Sequence, residues 1–422
     1  MNKREKEINK IKILIEKYHN KVPLNDIPIN NFIDSHSWFD IKESEEFNFT
    51  NTLKIKKIEN KCKIIKCKKI ILLPNNKQRK ILLDWLNSVR LMYNQTLIFI
   101  RNRYRLKEKT IINFRNLRKE LMKKKNILKK LYKTPTHILD SGIKLASISY
   151  KSAFTNFKNN NIKHFNIRYI KQKKITHIMD IEKSFFNSFT FCPTILGKNM
   201  LNKSNFSYNE ITKDCKLHYS QKNKRFTLLI PEEKEKKIKE FDNSFISIDP
   251  GVRTFLTGMS NNKHYEICTT GYVTLKKYLN KIDHVKGENN KEKWKYKLRN
   301  KVTDLHWKSI NFLMKQNKNT IVIGNWSTKN CISKKYSLNK MLKRVCNSLR
   351  YFDFLNKLIY KSNYNNISIK IQNESYTSKL CSTCGTINKN LGSKKIFECL
   401  HCKMTYDRDM NACRNILIKS LK

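Results

Sequence analysis

Residues 244–259 read Ser244-Phe-Ile-Ser-Ile-Asp249-Pro-Gly-Val-Arg-Thr-Phe-Leu-Thr-Gly-Met259. The apolar run before Asp249 reads as a buried strand, and it stops at an acid followed by a Pro-Gly turn. FLTGM (255–259) and HYEICTT (264–270) give two further short strands at once. Beyond them a helical pattern covers roughly residues 274–316, with an interruption near Gly287. A buried strand, Thr320 to Gly324, precedes helix from about Ser337 to Tyr360, a strand from Ile367 to Gln372, and a last helix from Asp409. Three antiparallel-compatible strands followed by alternating helix and strand define an RNase H-like α/β domain.

Outward from this domain, Glu232 to Glu240 is a charged linker and the main domain boundary. Upstream of it, HFNIRYIKQ (164–172), SFTFCP (188–193), CKLHYSQ (215–221) and RFTLLIP (225–231) read as strands. Residues 78–160 read as mainly helical, with Ile81, Leu82, Trp85, Leu86, Val89, Met92 and Tyr93 at three- and four-residue spacing. Arg and Lys fill the other face, and Tyr93, Tyr104 and Tyr132 are interleaved. Solvation explains any one of these basic residues; the whole array reads as a surface that tracks a phosphate backbone. Thr52 to Leu73 mixes β-branched and basic residues as one or two strands, closed by Pro74-Asn75-Asn76. Residues 1–50 read as a basic amphipathic helix and a polar stretch with Pro23 and Pro28, with no chemistry of their own.

The 422 residues carry 88 Lys and Arg against 34 Asp and Glu, a formal net charge of +54, while 39% hydrophobic residues suffice for real cores. A compact chain with that charge repels itself unless a polyanion neutralises it. A genome bias toward Lys, Asn and Ile codons contributes, but it does not explain the shortage of acids. Nucleic acid is the expected partner, ahead of an anionic membrane surface. No run of 18 apolar residues exists to span a bilayer, and the charged N-terminus lacks a signal-peptide core. An intracellular, soluble protein is expected.

Cys381-Ser-Thr-Cys384 and Cys399-Leu-His-Cys402 form C-x2-C-x14-C-x2-C. Two such pairs place four thiolates at tetrahedral corners and leave no open position, the pattern of one structural Zn²⁺ in a ribbon. Gly385 and Gly392 supply turns near the knuckles, and His401 stands between two ligands as a substitute donor by position. The remaining cysteines lack the paired spacing and read as buried or free thiols. Asp249 before Pro-Gly has the ordinary reading of a turn former. Asp407 and Asp409 open the last helix, where an Asp is a favoured N-cap.

Together, SIDPGVRTF (247–255), YTSKLCSTCG (376–385) and FECLHCKMTYDRDMNACRNIL (397–417) resemble the C-terminal half of the transposon-associated nuclease TnpB and its eukaryotic and viral relatives, the Fanzor proteins. The resemblance is tight over roughly residues 244–420 and weaker at LPNNKQRKILLDWLNSVRLMYN (73–94). It implies a RuvC-like nuclease domain at 243–422 with a zinc ribbon inserted at about 376–405. It further implies an N-terminal extension at 1–51, a β-rich wedge domain in two parts (52–77 and 186–242) and a helical recognition domain at 78–185. The implied activity is RNA-guided DNA cleavage by two Mg²⁺ ions (or Mn²⁺) about 4 Å apart, held by Asp249, Glu374 and Asp409. The implied partners are a structured guide RNA and double-stranded target DNA with a short flanking motif, around a monomeric protein in a eukaryotic nucleus.

One departure stands out. TnpB-type sequences carry a glutamate where this chain has Gly324, which offers no side-chain ligand. A silent nuclease, Asn325 as a neutral substitute, or relocation of the acid would each account for it; resemblance to Fanzor-like proteins implies relocation to Glu374, in IQNESYTSKLC (371–381). Asp409 is preferred to Asp407 because it occupies the family's Asp-x-Asn-Ala position, and Arg253 and Lys379 lie near the acids as phosphate contacts or salt-bridge partners. A zinc-ribbon DNA-binding regulator and a DDE-type transposase are the rival classes; the first leaves the Asp motifs unexplained, and the second lacks a ribbon between its acids.

Overall fold

A computed structural model describes residues 3–22, 29–30, 38–44, 64–108, 110–123, 133–172, 176–235, 244–333, 338–392 and 394–421. The expectations for most of Thr52 to Leu73, for Tyr132, for the helix start at Ser337 and for much of the 232–240 linker lie outside those residues. The chain divides into two compact units, residues 65–234 and residues 1–64 with 235–422. Among the described residues no helix is long and apolar enough to cross a membrane.

The chain opens with α1 (Lys3–Tyr18), followed by short strands β1 (Ile29–Asn30) and β2 (Ile41–Ser44). The 65–234 unit then contains β3 (Ile64–Leu72), α2 (Asn76–Arg105), α3 (Phe114–Met122), α4 (Thr136–Lys158), β4 (Thr176–Ile181), β5 (Cys215–Ser220) and β6 (Arg225–Lys234). Its strands form one sheet in the order β3-β6-β5-β4. The Asn75 side chain accepts from Gln78 N–H while the Gln78 side chain accepts from Asn75 N–H, a reciprocal cap that starts α2. Leu82, Trp85, Leu86 and Val89 of α2 then bury against Leu217, Leu228 and Ile230 of the sheet.

Two expected strands in this unit are not strands. HFNIRYIKQ forms an irregular strap, because its backbone groups pair with side chains rather than with a neighbouring strand. Asn94 both accepts from Ile170 N–H (2.9 Å) and donates to Ile170 C=O (3.1 Å), and Arg101 donates to Asn166 (2.9 Å) and to Ile167 C=O (2.5 Å). SFTFCP leaves only an isolated bridge, Phe186 to Phe191, before a short helix at Pro193–Leu196. The strand beside β5 is instead β4, so the sheet begins before residue 186.

The other unit is built on β7 (Phe245–Pro250), β8 (Leu256–Ser260), β9 (His264–Ile267), β10 (Thr320–Gly324) and β11 (Ser368–Gln372). With β1 and β2 these form one sheet in the order β1-β2-β9-β8-β7-β10-β11. β7, β8 and β9 pair antiparallel, while β10 runs parallel to β7 and β11 parallel to β10. This is the strand order and direction expected of an RNase H-like domain. Its helices are α5 (Gly271–His284), α6 (Glu288–Lys315), α7 (Lys340–Ser348), α8 (Tyr351–Tyr364) and α9 (Arg408–Ser420). The interruption between α5 and α6 falls at Gly287, whose φ of +82° a residue with a Cβ adopts only under strain.

Strand alternation decides what each face covers. Ile246, Ile248, Ile321 and Ile323 face a core supplied by α5 to α8. Phe245, Met259 and Val322 face the opposite side, where Ile11 and Ile15 of α1 and Ile416 and Leu417 of α9 close over them. The N-terminal segment is therefore not a separate extension: α1 packs on the last helix, and β2 lengthens the sheet beside β9.

His306, fully buried between Phe255 and Phe354, donates through Nε2 to Leu349 C=O (2.8 Å) and accepts through Nδ1 from Lys357 (3.1 Å). Burial first, then the Lys357 charge, hold its pKa down at about 4, and buried His264 is likewise pushed to about 4. Both groups are neutral in the fold and free to protonate when unfolded. The unfolded state thus binds more protons below pH 6.5, so stability is complete above that value and is lost as pH falls toward 4. His306→Gln is expected to flatten the melting temperature over this window; an unchanged slope refutes the assignment.

Candidate active site

β7 places Asp249 one step beyond Ile248, on the face shared by Phe245 and Ser247. That face looks toward α9: Ser247 Oγ donates to Cys413 C=O (2.7 Å), and Cys413 Sγ donates to Thr257 C=O (3.0 Å). Asp409 sits in the first turn of α9. Its neighbour Asp407 is the N-cap, accepting from Asp409 N–H (2.9 Å) and Met410 N–H (3.2 Å) through one oxygen. Capping occupies Asp407 and leaves the Asp409 carboxylate turned to other partners.

Gly324 ends β10, and its register partner on β11 is Gln372. Two residues further, Glu374 reaches back over it. A Cβ built on Gly324 would lie 2.2 Å from Glu374 Oε1, 2.7 Å from its Cγ and 2.8 Å from its Cδ. The glutamate side chain therefore fills the space that a side chain at 324 would take. Glu374 Oε1 is buried and meets no hydrogen-bond partner among the described residues, an arrangement that is costly for a carboxylate unless a cation completes it.

The electrostatics are those of acids crowded at one sheet end. Burial first, then the charges of Glu374 and Asp409, push Asp249 well above the usual carboxylate range. Burial and the neighbouring Cys331 raise Glu374 to about 8, with Lys419 opposing. Burial and Asp407 raise Asp409, with Arg408 opposing. Each of the three keeps partial exposure, so the group is open to solvent. Protonation or a bound cation relieves such repulsion, and hard oxygen donors fit Mg²⁺ or Mn²⁺.

Several neighbours were not legible as site residues. Asp249 pairs across the sheet with Thr257, and Thr257 with Glu266, which sets Glu266 in the same row. Buried Glu266 and Asp407 each lie 3.8 Å from Lys395, which belongs to the ribbon. A charged residue inside the apolar run HYEIC was the available signal. Buried Tyr351 donates to Gly324 C=O (2.7 Å) and fixes the end of β10. Arg253 and Lys379, expected as phosphate contacts or salt-bridge partners, are both exposed, whereas the cations that act on the carboxylates are Arg408, Lys419 and Lys395.

Cys381, Cys384, Cys399 and Cys402 converge, with ligand atoms all within 4.8 Å of one another. The Sγ separations are 3.6 Å for Cys381–Cys402 and 3.4 Å for Cys384–Cys399. Four thiolates about 2.3 Å from a tetrahedral metal stand about 3.8 Å apart, so these four need shift only slightly to hold one. Among the described residues this is the only set that tight; the three carboxylates are spread wider. His401 is exposed and outside the cluster. β12 (Ile396–Glu398) and β13 (Thr405–Asp407) pair antiparallel to carry the second cysteine pair.

The ribbon is fastened to α9 by buried polar bonds. Asn411 donates to Leu380 C=O (2.8 Å) and accepts from Ser382 N–H (3.0 Å). Arg414 donates to Ser382 Oγ (2.8 Å), and Asn415 donates to Thr377 C=O (2.7 Å) and Leu380 C=O (2.8 Å). Arg408 N–H donates to Lys395 C=O (2.7 Å). The helix that carries Asp409 is thus held on one side by the sheet and on another by the first cysteine knuckle.

Carboxylates gathered at the end of an RNase H-like sheet, with a four-thiolate ribbon locked to the helix of the last acid, define a two-centre α/β protein. The chain is 31% identical over 441 residues to TnpB-like protein L79 of Acanthamoeba polyphaga mimivirus, covering 92% of this chain and 84% of that one. It belongs to the TnpB family. The Cas12f1-like TNB domain family matches residues 351–416. The CRISPR-associated endodeoxyribonuclease Cas12f1 of Sulfoacidibacillus thermotolerans is 35% identical over 79 residues, 18% of this chain and 19% of that protein. A solved Cas12f1–sgRNA–target DNA complex matches with a TM-score of 0.49 at 18% identity, covering 81% of this chain and 83% of that one.

Proposed function

We propose that this protein is an RNA-guided DNA endonuclease that hydrolyses phosphodiester bonds at Asp249, Glu374 and Asp409. The observation that carries the reading is the Glu374 side chain lying in the space vacated at Gly324, beside Asp249. A family member without a working acid there would have no reason to bury an unpaired carboxylate at that point.

In this reading the three carboxylates hold divalent metal ions, Mg²⁺ or Mn²⁺. Bound there, such ions activate the attacking water and stabilise the leaving oxygen. The chain's own residues prepare the place. Asp407 caps α9, so Asp409 is free for a ligand role. Tyr351 pins the end of β10, which keeps the floor under Glu374 fixed. Asp249 and Asp409 approach from strand and helix, so their spacing is set by the packing of α9 on β7 and β8. The cysteine cluster holds one structural Zn²⁺.

The net charge of +54 fits a chain that carries a guide RNA and a DNA duplex together. Sequence selection would rest with RNA–DNA pairing, the protein reading backbone shape and a short flanking motif. The 65–234 unit would supply the wedge and recognition surfaces. Purification of the full chain should bring down a discrete RNA with a variable 3′ end. DNA matching that end should be cut in Mg²⁺ and left whole in EDTA. Loss of cutting in Asp409→Ala with binding kept is the expected result; matched DNA left whole in Mg²⁺ refutes the activity.

A further inference from the structure

Within the 65–234 unit a cavity of about 560 Å³ lies between α2, α4, β4 and the 164–172 strap. Its size is that of a small-molecule site rather than a packing defect (~300–1,000 Å³). Leu86, Val89, Leu145 and Ile178 give it an apolar floor. Three cations, Arg90, Arg168 and Lys171, line it with two phenols, Tyr93 and Tyr169. None of the three makes an ion pair among the described residues; Arg90 is held by Asn87 Oδ1, a neutral acceptor (3.0 and 2.8 Å). A second hollow of about 310 Å³ continues from it, sharing Leu86, Arg90 and His177, and carries a single acid, Asp84.

Nothing in the proposed chemistry at Asp249 uses this cavity. Its wall is also a built one. Tyr169 is half-exposed, with the Arg101 guanidinium 4.5 Å from its ring centroid, and the strap that presents it is held by Asn94. A held aromatic ring, an apolar floor and three cations supplied by α2 and the strap suit a planar apolar group that carries an anion. That chemistry is a nucleotide: the base stacks and enters, and the phosphate stays with the arginines and lysine at the rim.

We propose that this cavity takes one unstacked nucleotide from a bound nucleic-acid strand. The inference rests on the reading that the chain binds nucleic acid, but not on cleavage. The hollow is too small for a duplex, and its phenols and apolar floor would be wasted on a phosphate alone. The nucleotide comes from either an RNA or a DNA strand, which the experiment separates.

The test uses the full chain, stripped of co-purified nucleic acid, with oligouridine carrying one 4-thiouridine and oligothymidine carrying one 4-thiothymidine. Ultraviolet cross-links are mapped by mass spectrometry, and affinities are measured for the same strands. The expected cross-links fall in peptides spanning 86–93 or 168–178. Tyr169→Ala is expected to weaken binding about 5- to 100-fold, the usual worth of one stacked base. That change also removes the partner of Arg101, so Ser149→Trp, which fills the cavity from α4 while leaving the strap anchored, should act in the same way. Arg168→Gln should lower the salt slope by about 0.7, the value for one phosphate on a single strand.

A loss confined to oligouridine assigns the nucleotide to RNA, and one confined to oligothymidine assigns it to DNA. Wild-type affinity in both Tyr169→Ala and Ser149→Trp, with cross-links elsewhere, overturns the proposal and leaves the endonuclease reading intact. Competition by polyglutamate but by neither oligonucleotide overturns it in favour of an acidic peptide. A folded protein that binds no strand at all refutes the nucleic-acid reading itself.

Discussion

Glu374→Ala is expected to lower guide-directed DNA cleavage about a thousandfold or more while leaving DNA binding unchanged, because the ligand role proposed for it would contribute several kcal/mol to the transition state. The structure adds a sharper form of the experiment. A Cβ on Gly324 would fall 2.2 Å from Glu374 Oε1, so the two side chains compete for one volume. Gly324→Ala alone should therefore damage the enzyme by displacing Glu374, yet be harmless in the Glu374→Ala background. Gly324→Glu combined with Glu374→Ala should recover part of the lost rate, since the carboxylate re-enters the same space from β10. Strong non-additivity of this kind is what direct contact produces. Full cleavage by Glu374→Ala would sink the relocation outright. Additive effects of the two positions would show that they do not share a ligand site.

The second large effect concerns the ribbon. Cys384→Ser or Cys399→Ser is expected to remove the zinc, about one per chain by metal analysis, and to lower the melting temperature by about 10 °C or more. Loss of a structural metal costs several kcal/mol, and each kcal/mol moves the midpoint of a unit this size about 2–4 °C. Cleavage should fall as well, although none of the four ribbon cysteines is among the neighbours that shift the three acids. The route is geometric: Asn411, Arg414 and Asn415 bond the first knuckle to the helix that starts with Asp409. A ribbon that served only as a separate surface would leave cleavage of a residual folded fraction unchanged, and an unaltered melting curve would refute a structural metal.

Both experiments bear on how much could be read from the chain beforehand. The sheet could be read because β7 to β11 are short, apolar and separated by turns, and burial of such runs leaves few arrangements. The four cysteines could be read because their spacing alone almost dictates a tetrahedral set. Asp249 and Asp409 could be read from their motifs, each at the end of an element. The strap at 164–172 has the composition of a strand and is not one. Only the fold shows that Asn94 and Arg101 take the backbone groups a neighbouring strand would have taken. The apolar stripe of α1 says that the helix has a partner but not which one, and the partner is the far end of the chain.

By itself, then, the sequence determined the sheet and the thiolate ribbon, and it set Asp249 and Asp409 at the ends of their elements. These depend on local spacing and on which side chains must leave water. Tertiary structure alone placed Glu374 over Gly324. Position 374 is 50 residues from position 324 along the chain, and only the parallel pairing of β10 with β11 brings the glutamate over the glycine. The same pairing makes glycine fit at 324, since a Cβ there would have to move the Glu374 side chain.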